Sequence, residues 1–285
     1  MTMLSEASTV RTAPVAGGEL AYEVLAGSTE PVLAIHGISS TRKLFGWLHA
    51  AAPDLTLITP DLRGRADSVA VQGTSSIAQH TADMVRLLDH LGLAAVHVCG
   101  MSMGGFVAVE LAARYPGRVR SLVLVDGGFR LNASPGMTRE MLPAVFADRL
   151  GRLQHRWASL DEYLDFFVAN TTPLLDRDDP QLRRYLEHDL RDGAVRVVGD
   201  ALLSDAEDVY FSDHHWLSVT QPIRFLYAEW STGPGSRPAY GADQIGAIRE
   251  KTVAVTFLEG HDHAGTIMTP IGARAVGALI RGALA

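Results

Sequence analysis

Gly100-Met101-Ser102-Met103-Gly104-Gly105 is the segment of this 285-residue chain that carries the clearest structural signal. An apolar run at 94–99 precedes it and a helix-like stretch at 106–115 follows it, so the pattern predicts a buried strand, a tight turn and a helix. At such a turn the serine backbone is strained, and the residues two before and two after it must be small, because larger side chains would collide where strand and helix meet. The turn then presents the Ser102 hydroxyl beside a helix N-terminus, whose free N–H groups can stabilise an oxyanion.

Buried strands are predicted on both sides of this segment. Short apolar runs lie at Pro31–Ile35, at 55–59 and at Val119–Val125, and helix-like stretches separate them. Strands that alternate with helices indicate an α/β fold, in which a mostly parallel sheet is flanked by helices on both faces.

Motifs at the ends of these strands carry a resemblance to a known family. They are His36-Gly37, Asp61-Leu62-Arg63-Gly64, the Gly-x-Ser-x-Gly-Gly segment itself and Leu122-Val123-Leu124-Val125-Asp126. In this order and spacing they resemble the α/β-hydrolase superfamily, in which strand, Gly-x-Ser-x-Gly turn and helix form the nucleophile elbow. The resemblance covers about residues 18–130 and 220–285 and implies a doubly wound, mostly parallel sheet with a helical cap inserted after the sixth strand. We therefore expect a core domain of residues 1–130 and 220–285 and a helical cap of residues 131–219.

The composition argues against several other classes of protein. Hydrophobic residues make up 47% and charged residues 20% of the chain, which is typical of a globular protein, and no apolar run approaches the roughly 18 residues that span a membrane. Residues 1–18 lack the pattern of a signal peptide, so we expect a cytoplasmic protein without a membrane partner. A net charge of −7 argues against a nucleic-acid partner, and the single cysteine, Cys99, excludes an internal disulfide and is expected to be a buried thiol. The expected partner is a small-molecule substrate, and both a monomer and a dimer are compatible with the sequence.

The predicted cap is strongly acidic. Residues 157–213 contain 14 Asp and Glu against 5 Arg, a charge of about −9, and helical patterns at 160–170 and 181–192. We interpret the charge as a solvated outer face and the apolar side chains as the roof of a pocket. The predicted substrate contacts come from both parts of the chain and are Gly37, Ser39, Phe45, Phe129, Phe166, Phe167 and Tyr210.

A serine nucleophile needs a histidine to accept its proton, and two histidines compete for that role. The superfamily carries its base after the last strand, here predicted at 252–257, and often with an Asn-His-Tyr-Thr-Ile-like sequence. Residues 262–268, Asp-His-Ala-Gly-Thr-Ile-Met, resemble that sequence with one extra residue and favour His263. A Gly-His-x-x-His pattern would favour His261 instead. A His-Asp-His metal site is a third interpretation, but no clustered ligand accompanies it, so no metal is expected.

The third member of the site should be a carboxylate that fixes the imidazole tautomer. The resemblance places it after the seventh strand, in a Gly-Glu-x-Asp sequence, but here Ser231 stands where that aspartate is expected. Some members of the superfamily carry the acid after the sixth strand, where this chain has Asp126. We assign Asp126 as the acid, with Asp243 and Glu229 as the alternatives.

The resemblance also implies the reaction. The backbone N–H groups of Met103 and Ile38 are the expected oxyanion hole, and Ser102, His263 and Asp126 would form an acyl-enzyme without any cofactor. The chain is thus expected to be a serine hydrolase of an ester, lactone or thioester. A carbon–carbon bond hydrolase, an acyl-transfer or cyclising enzyme, and a non-catalytic small-molecule receptor are the alternatives.

Overall fold

The computed structural model describes residues 9–131 and 136–285, so residues 1–8 and residues 132–135 of the predicted cap lie outside it. The strands, numbered in chain order, are β1 (Arg11–Val15), β2 (Gly18–Leu25), β3 (Pro31–Ile35), β4 (Thr56–Pro60), β5 (Val96–Met101), β6 (Val119–Val125), β7 (Leu190–Arg191), β8 (Ala194–Val195), β9 (Ile223–Trp230) and β10 (Ala254–Asp262). The helices are α1 (Gly46–Ala51), α2 (Ile77–His90), α3 (Met103–Arg114), α4 (Leu142–Val145), α5 (Ala147–Gln154), α6 (Leu160–Thr171), α7 (Pro180–Asp189), α8 (Gly199–Phe211), α9 (Ala242–Lys251), α10 (Gly265–Met268) and α11 (Pro270–Leu284).

A single eight-stranded sheet organises the described part of the chain. Its order is β1-β2-β4-β3-β5-β6-β9-β10, and every neighbouring pair from β4 to β10 is parallel, whereas β1 and β2 pair antiparallel at one edge. Apolar side chains pack on both faces of the sheet in two large clusters. The predicted fold class, a mostly parallel sheet flanked by helices, is confirmed.

In the described part of the segment between β6 and β9, five α-helices and the β7–β8 ribbon follow the sixth strand, as expected. The local sequence explains where α6 begins, because the Ser159 side chain accepts a hydrogen bond from the Glu162 N–H and acidic residues occupy the first turn. One face of α6 is apolar and buried, which turns this helix toward the core. The division of the chain into a core domain and a cap domain remains a prediction.

The helix predicted at 181–192 ends earlier, at Asp189. Asp192 and Gly193 have φ values of 50° and 71°, and they form the turn of the β7–β8 hairpin. Positive φ at two successive residues suits a tight hairpin and cannot continue a helix. The strand predicted at 252–257 instead begins at Ala254 and continues to Asp262, past an irregularity after Leu258. No helix among residues 9–131 and 136–285 is long and apolar enough to cross a membrane.

Candidate active site

The turn between β5 and α3 has the strained geometry expected of an elbow. Ser102 has φ 55° and ψ −123°, a conformation that L-residues rarely adopt. A Cβ atom at Gly100 would lie 2.3 Å from the carbonyl oxygen of Gly104, and one at Gly104 would lie 2.0 Å from that of Ile35. Both distances are far below a van der Waals contact, so only glycine fits before and after the serine.

The chain that leaves β6 passes directly against this elbow. A Cβ atom at Gly127 would lie 2.0 Å from the carbonyl oxygen of Ser102, so the two backbones approach as closely as glycine allows. Asp126, one residue earlier, has φ 45° and is only 2% exposed. Its carboxylate accepts a hydrogen bond of 3.3 Å from the Ala228 N–H, which orients it at the end of the sheet.

His263 lies within hydrogen-bond distance of this carboxylate. Its Nδ1 atom is 2.6 Å from Oδ2 of Asp126, and its side chain is 28% exposed and lines the same cavity as Ser102. Because Nδ1 is engaged by the carboxylate, Nε2 is the ring nitrogen that remains for exchanging a proton with a substrate or nucleophile. The catalytic roles of these residues remain predictions; the structure brings His263 to Asp126 and to the cavity that Ser102 also lines.

The alternative candidates for the base and for the acid contact other groups. Nδ1 of His261 bonds the backbone carbonyl of Glu259 at 2.9 Å, and His261 is not among the residues that line the cavity. Oε2 of Glu229 accepts the Gly260 N–H at 2.8 Å, and Asp243 lies in the first turn of α9. Ser231, which stands in the usual place of the acid, lines the cavity.

Two buried residues shape the loop that carries Ile38. His36 is fully buried, and its Nε2 accepts the Leu62 N–H at 3.0 Å while its Nδ1 contacts the Gly37 carbonyl at 2.8 Å. Burial lowers the pKa of His36 to about 4, so the ring is neutral and its role is structural. Arg65 donates from Nε and Nη2 to the Ile38 carbonyl at 3.0 and 2.9 Å. Ile38 lines the cavity and Met103 begins α3, which suits both for the predicted oxyanion hole.

A cavity of about 410 Å³ opens beside Ser102. Four of the predicted substrate contacts line it, namely Gly37, Ser39, Phe166 and Phe167. Phe45, Phe129 and Tyr210 do not, and these three assignments are corrected. Phe45 and Phe129 are 0% and 1% exposed in the apolar clusters of the core, and Tyr210 packs against Phe146 with ring centroids 6.3 Å apart.

Two arginines of α5 also line the cavity and were missed by the sequence analysis. Arg149 and Arg152 are three residues apart, so they share one face of the helix. The spacing of the two arginines is visible in the sequence. The neighbouring residues do not indicate, however, that this face of a short helix lines the cavity of Ser102.

Among the described residues, two carboxylates and a histidine lie close enough together to be compared with a metal site. Asp61, Asp67 and His188 bring their ligand atoms within 4.8 Å of one another. Arg42 pairs with both aspartates and Arg196 pairs with Asp67, so guanidinium groups already occupy the positions that a cation would take. The group is an ion-pair network that joins the segment after β4 to residues 188 and 196, which lie between β6 and β9.

The thiol of Cys99 is fully buried in β5. Burial raises its pKa to about 12, because the thiolate would be desolvated there. It is therefore a packing residue of the sheet.

Comparisons with known proteins agree with this fold. The family model described as the alpha/beta hydrolase fold matches residues 30–220. Lipase LipV of Mycobacterium tuberculosis is 32% identical over 230 residues, which cover 79% of this chain and 82% of the lipase. The dihydrolipoyllysine-residue acetyltransferase component of the acetoin cleaving system of Cupriavidus necator is 36% identical over 152 residues, 48% of this chain, and the chain spans only 40% of the length of that relative. The crystal structure of E-2-(acetamidomethylene)succinate hydrolase superposes with a TM-score of 0.76 at 21% identity, covering 96% of this chain and 99% of that one, a likeness of fold.

Proposed function

We propose that this chain, which belongs to the alpha/beta hydrolase family, is a serine hydrolase that cleaves an ester, lactone or thioester of a small organic substrate. The observation that carries the proposal is the shared cavity of Ser102 and His263, together with the 2.6 Å contact between His263 and Asp126. A hydroxyl at a strained elbow, an imidazole and a buried carboxylate are the groups that acyl transfer requires.

The first half of the reaction forms an acyl-enzyme. Oγ of Ser102 attacks the substrate carbonyl carbon and its proton passes to Nε2 of His263, while Asp126 stabilises the resulting imidazolium. The N–H groups of Met103 and Ile38 hold the oxyanion of the tetrahedral intermediate. The bond to the leaving group then breaks, and the leaving group takes the proton from His263.

The second half releases the product. A water molecule attacks the acyl carbon as His263 accepts one of its protons, and the bond to Ser102 breaks as the serine recovers that proton. The carboxylic acid leaves, and Ser102 and His263 return to their starting protonation states. Each bond that forms or breaks is accounted for by these residues, the substrate and water.

Turnover and labelling together test this mechanism. The wild-type protein should hydrolyse a p-nitrophenyl ester and should be labelled by a fluorophosphonate probe, whereas Ser102→Ala should lose both signals. Ser40→Ala provides a matched control, because Ser40 lines the same cavity and accepts a hydrogen bond from the Tyr185 hydroxyl at 3.1 Å. This variant should retain the label.

The alternatives predict other results. A non-catalytic receptor would bind small esters without turnover, and an acyl-transfer enzyme would be labelled but would need a second substrate. Undiminished labelling of Ser102→Ala would contradict the assignment of the nucleophile.

A further inference from the structure

The helix α5 contributes two cationic side chains to the cavity of Ser102. Arg149 and Arg152 both line it, on the same helix face, together with Phe166 and Phe167 of α6. Among the described lining residues Asp148 is the only acid, and it is exposed at the neighbouring position of α5. A neutral ester would gain little from a pair of guanidinium groups in this cavity.

Arg152 is held in place but its hydrogen-bonding capacity is not saturated. It is 8% exposed, and it donates to the Tyr163 hydroxyl at 3.0 Å and to the Ser39 carbonyl at 3.2 Å. Asp189 lies 3.6 Å away and balances its charge. The buried Nε of Arg152 has no hydrogen-bond partner in the described part of the chain, which is uncommon for a buried donor.

Arg149 is the lining arginine that no ion pair holds in the described structure, although Asp148, the preceding residue of α5, acts on its charge from the same cavity. Its guanidinium lies 5.3 Å from the centre of the Phe146 ring, and it makes no hydrogen bond or ion pair with residues 9–131 or 136–285. The residue as a whole is exposed, but the protein around its guanidinium lowers its pKa by desolvation. A cation in this position is stabilised when an anion binds beside it.

The net charge of the cavity lining differs in sign from that of the predicted cap. Residues 157–213 carry 14 acidic residues against 5 arginines, whereas the described lining of the cavity carries two arginines against one acid, Asp148. A lining with this positive net charge, in the cavity that Ser102 also lines, favours a substrate with one negative charge. A carboxylate fits this requirement, because its two oxygens match the planar donors of a guanidinium.

We propose, on the basis of the proposed hydrolase function, that the substrate is an ester or lactone that also bears a carboxylate, bound by Arg149 and Arg152 while Ser102 attacks the carbonyl. The cavity of about 410 Å³ accommodates a small organic molecule of this kind. The carboxylate takes no part in bond making and serves to orient the substrate.

Paired substrates test this proposal. Mono-p-nitrophenyl adipate carries a free carboxylate, and its methyl ester, methyl p-nitrophenyl adipate, has the same chain without the charge. The wild-type enzyme should favour the charged substrate in kcat/KM by roughly 10- to 100-fold, the range expected for hydrogen bonds to a charged group. The mono-p-nitrophenyl esters of glutarate and pimelate, each compared with its methyl ester, test a shorter and a longer distance between the carboxylate and the reacting carbonyl.

Substitutions test whether Arg149 and Arg152 produce the preference for the charged substrate. Arg149→Gln should reduce the preference to near one, and Arg152→Lys should reduce it while keeping a positive charge beside Asp189. Arg156→Gln is the matched control, because Arg156 is exposed, follows α5 and donates to the Asp192 carbonyl outside the cavity. This control should preserve the preference with the same change in net charge.

The outcomes separate this inference from the proposed function. Equal kcat/KM for the two adipates, with turnover that still depends on Ser102, overturns the carboxylate site and leaves the hydrolase intact. A preference unchanged in both Arg149→Gln and Arg152→Lys also overturns it. Absence of turnover and of labelling at Ser102 overturns the proposed function instead.

Direct binding gives a readout that needs no catalysis. Adipate should bind Ser102→Ala in a calorimetric titration, and the additional Arg149→Gln substitution should weaken that binding by about tenfold or more. Inorganic phosphate is the comparison anion. Absence of adipate binding, or tighter binding of phosphate than of adipate, overturns the assignment of a carboxylate.

Discussion

Nδ1 of His263 lies 2.6 Å from Oδ2 of Asp126, although 137 positions separate the two residues in the sequence. Asp126 follows β6 and His263 follows β10, and β9 lies between these two strands in the sheet. The carboxylate is nearly excluded from solvent, whereas the imidazole reaches the cavity. With the predicted acid at Asp126, the site needs no carboxylate at the position of Ser231.

Replacing Asp126 with asparagine should lower kcat by about 10⁴-fold, the loss seen when a serine protease loses its acid. The amide oxygen can still accept the Ala228 N–H, but the amide nitrogen would face Nδ1 and favour the wrong tautomer of His263. Steady-state kinetics on a p-nitrophenyl ester measures the loss. Glu229→Gln and Asp243→Asn should change kcat little, and a comparable loss in either would point to a different acid.

Removal of the imidazole distinguishes the two neighbouring histidines. His263→Ala should lower kcat by roughly 10³- to 10⁶-fold, because His263 is the only imidazole among the described residues that line the cavity. His261→Ala should have a small effect, since the Nδ1 atom of His261 bonds the backbone of Glu259. A large loss in His261→Ala and a small loss in His263→Ala would identify His261 as the base.

Arg65 is expected to position the oxyanion loop without contacting the substrate. Its two hydrogen bonds to the Ile38 carbonyl hold the peptide next to the predicted oxyanion donor, and its Nη2 lies 2.6 Å from Asp205 on α8. Arg65→Lys keeps the charge beside Asp205 but cannot make both bonds to Ile38. We expect kcat to fall by about tenfold with little change in KM, a fraction of the loss that follows complete removal of an oxyanion donor.

A second buried arginine provides the control for that substitution. Arg63 pairs with Asp83 at 2.7 Å and makes no hydrogen bond to Ile38 in the described structure. Arg63→Lys should therefore lower Tm while it preserves kcat. Equal effects of the two substitutions on kcat, measured well below both Tm values, would mean that Arg65 contributes only to stability.

The neutral, buried His36 should make stability depend on pH. Its pKa is lowered from 6.5 to about 4 in the folded protein, mainly by burial, so the unfolded chain binds the proton more readily. Its contribution is fully present above pH 6.5 and is lost as the pH falls toward 4, a change of about 3 kcal/mol in the free energy of unfolding.

Urea denaturation at several pH values measures this effect. The wild type should lose stability between pH 6.5 and 4 faster than His36→Gln, whose side chain does not titrate and can still accept the Leu62 N–H. Parallel pH profiles for the two proteins would show that His36 does not contribute in this range.

Local patterns in the sequence were sufficient for the fold and for the elbow serine. The apolar runs that became β3, β5 and β6 are short and bounded by glycine-containing turns, and the spacing of Gly100, Ser102 and Gly104 reflects clashes between residues close in sequence. Such features depend on backbone sterics and on burial of consecutive residues, so they can be recognised without knowing what lies nearby. The length of α7 was misjudged, because its end depends on a hairpin turn at Asp192 and Gly193.

The tertiary structure decided which distant side chains meet. The order of strands places Asp126 beside His263 and leaves Glu229 on a neighbouring backbone amide. It also buries Phe45 and Phe129 in the core and turns Arg149 toward the cavity. These outcomes depend on the packing of the inserted helices over the sheet, which involves contacts between residues far apart in sequence and leaves no local pattern in the chain.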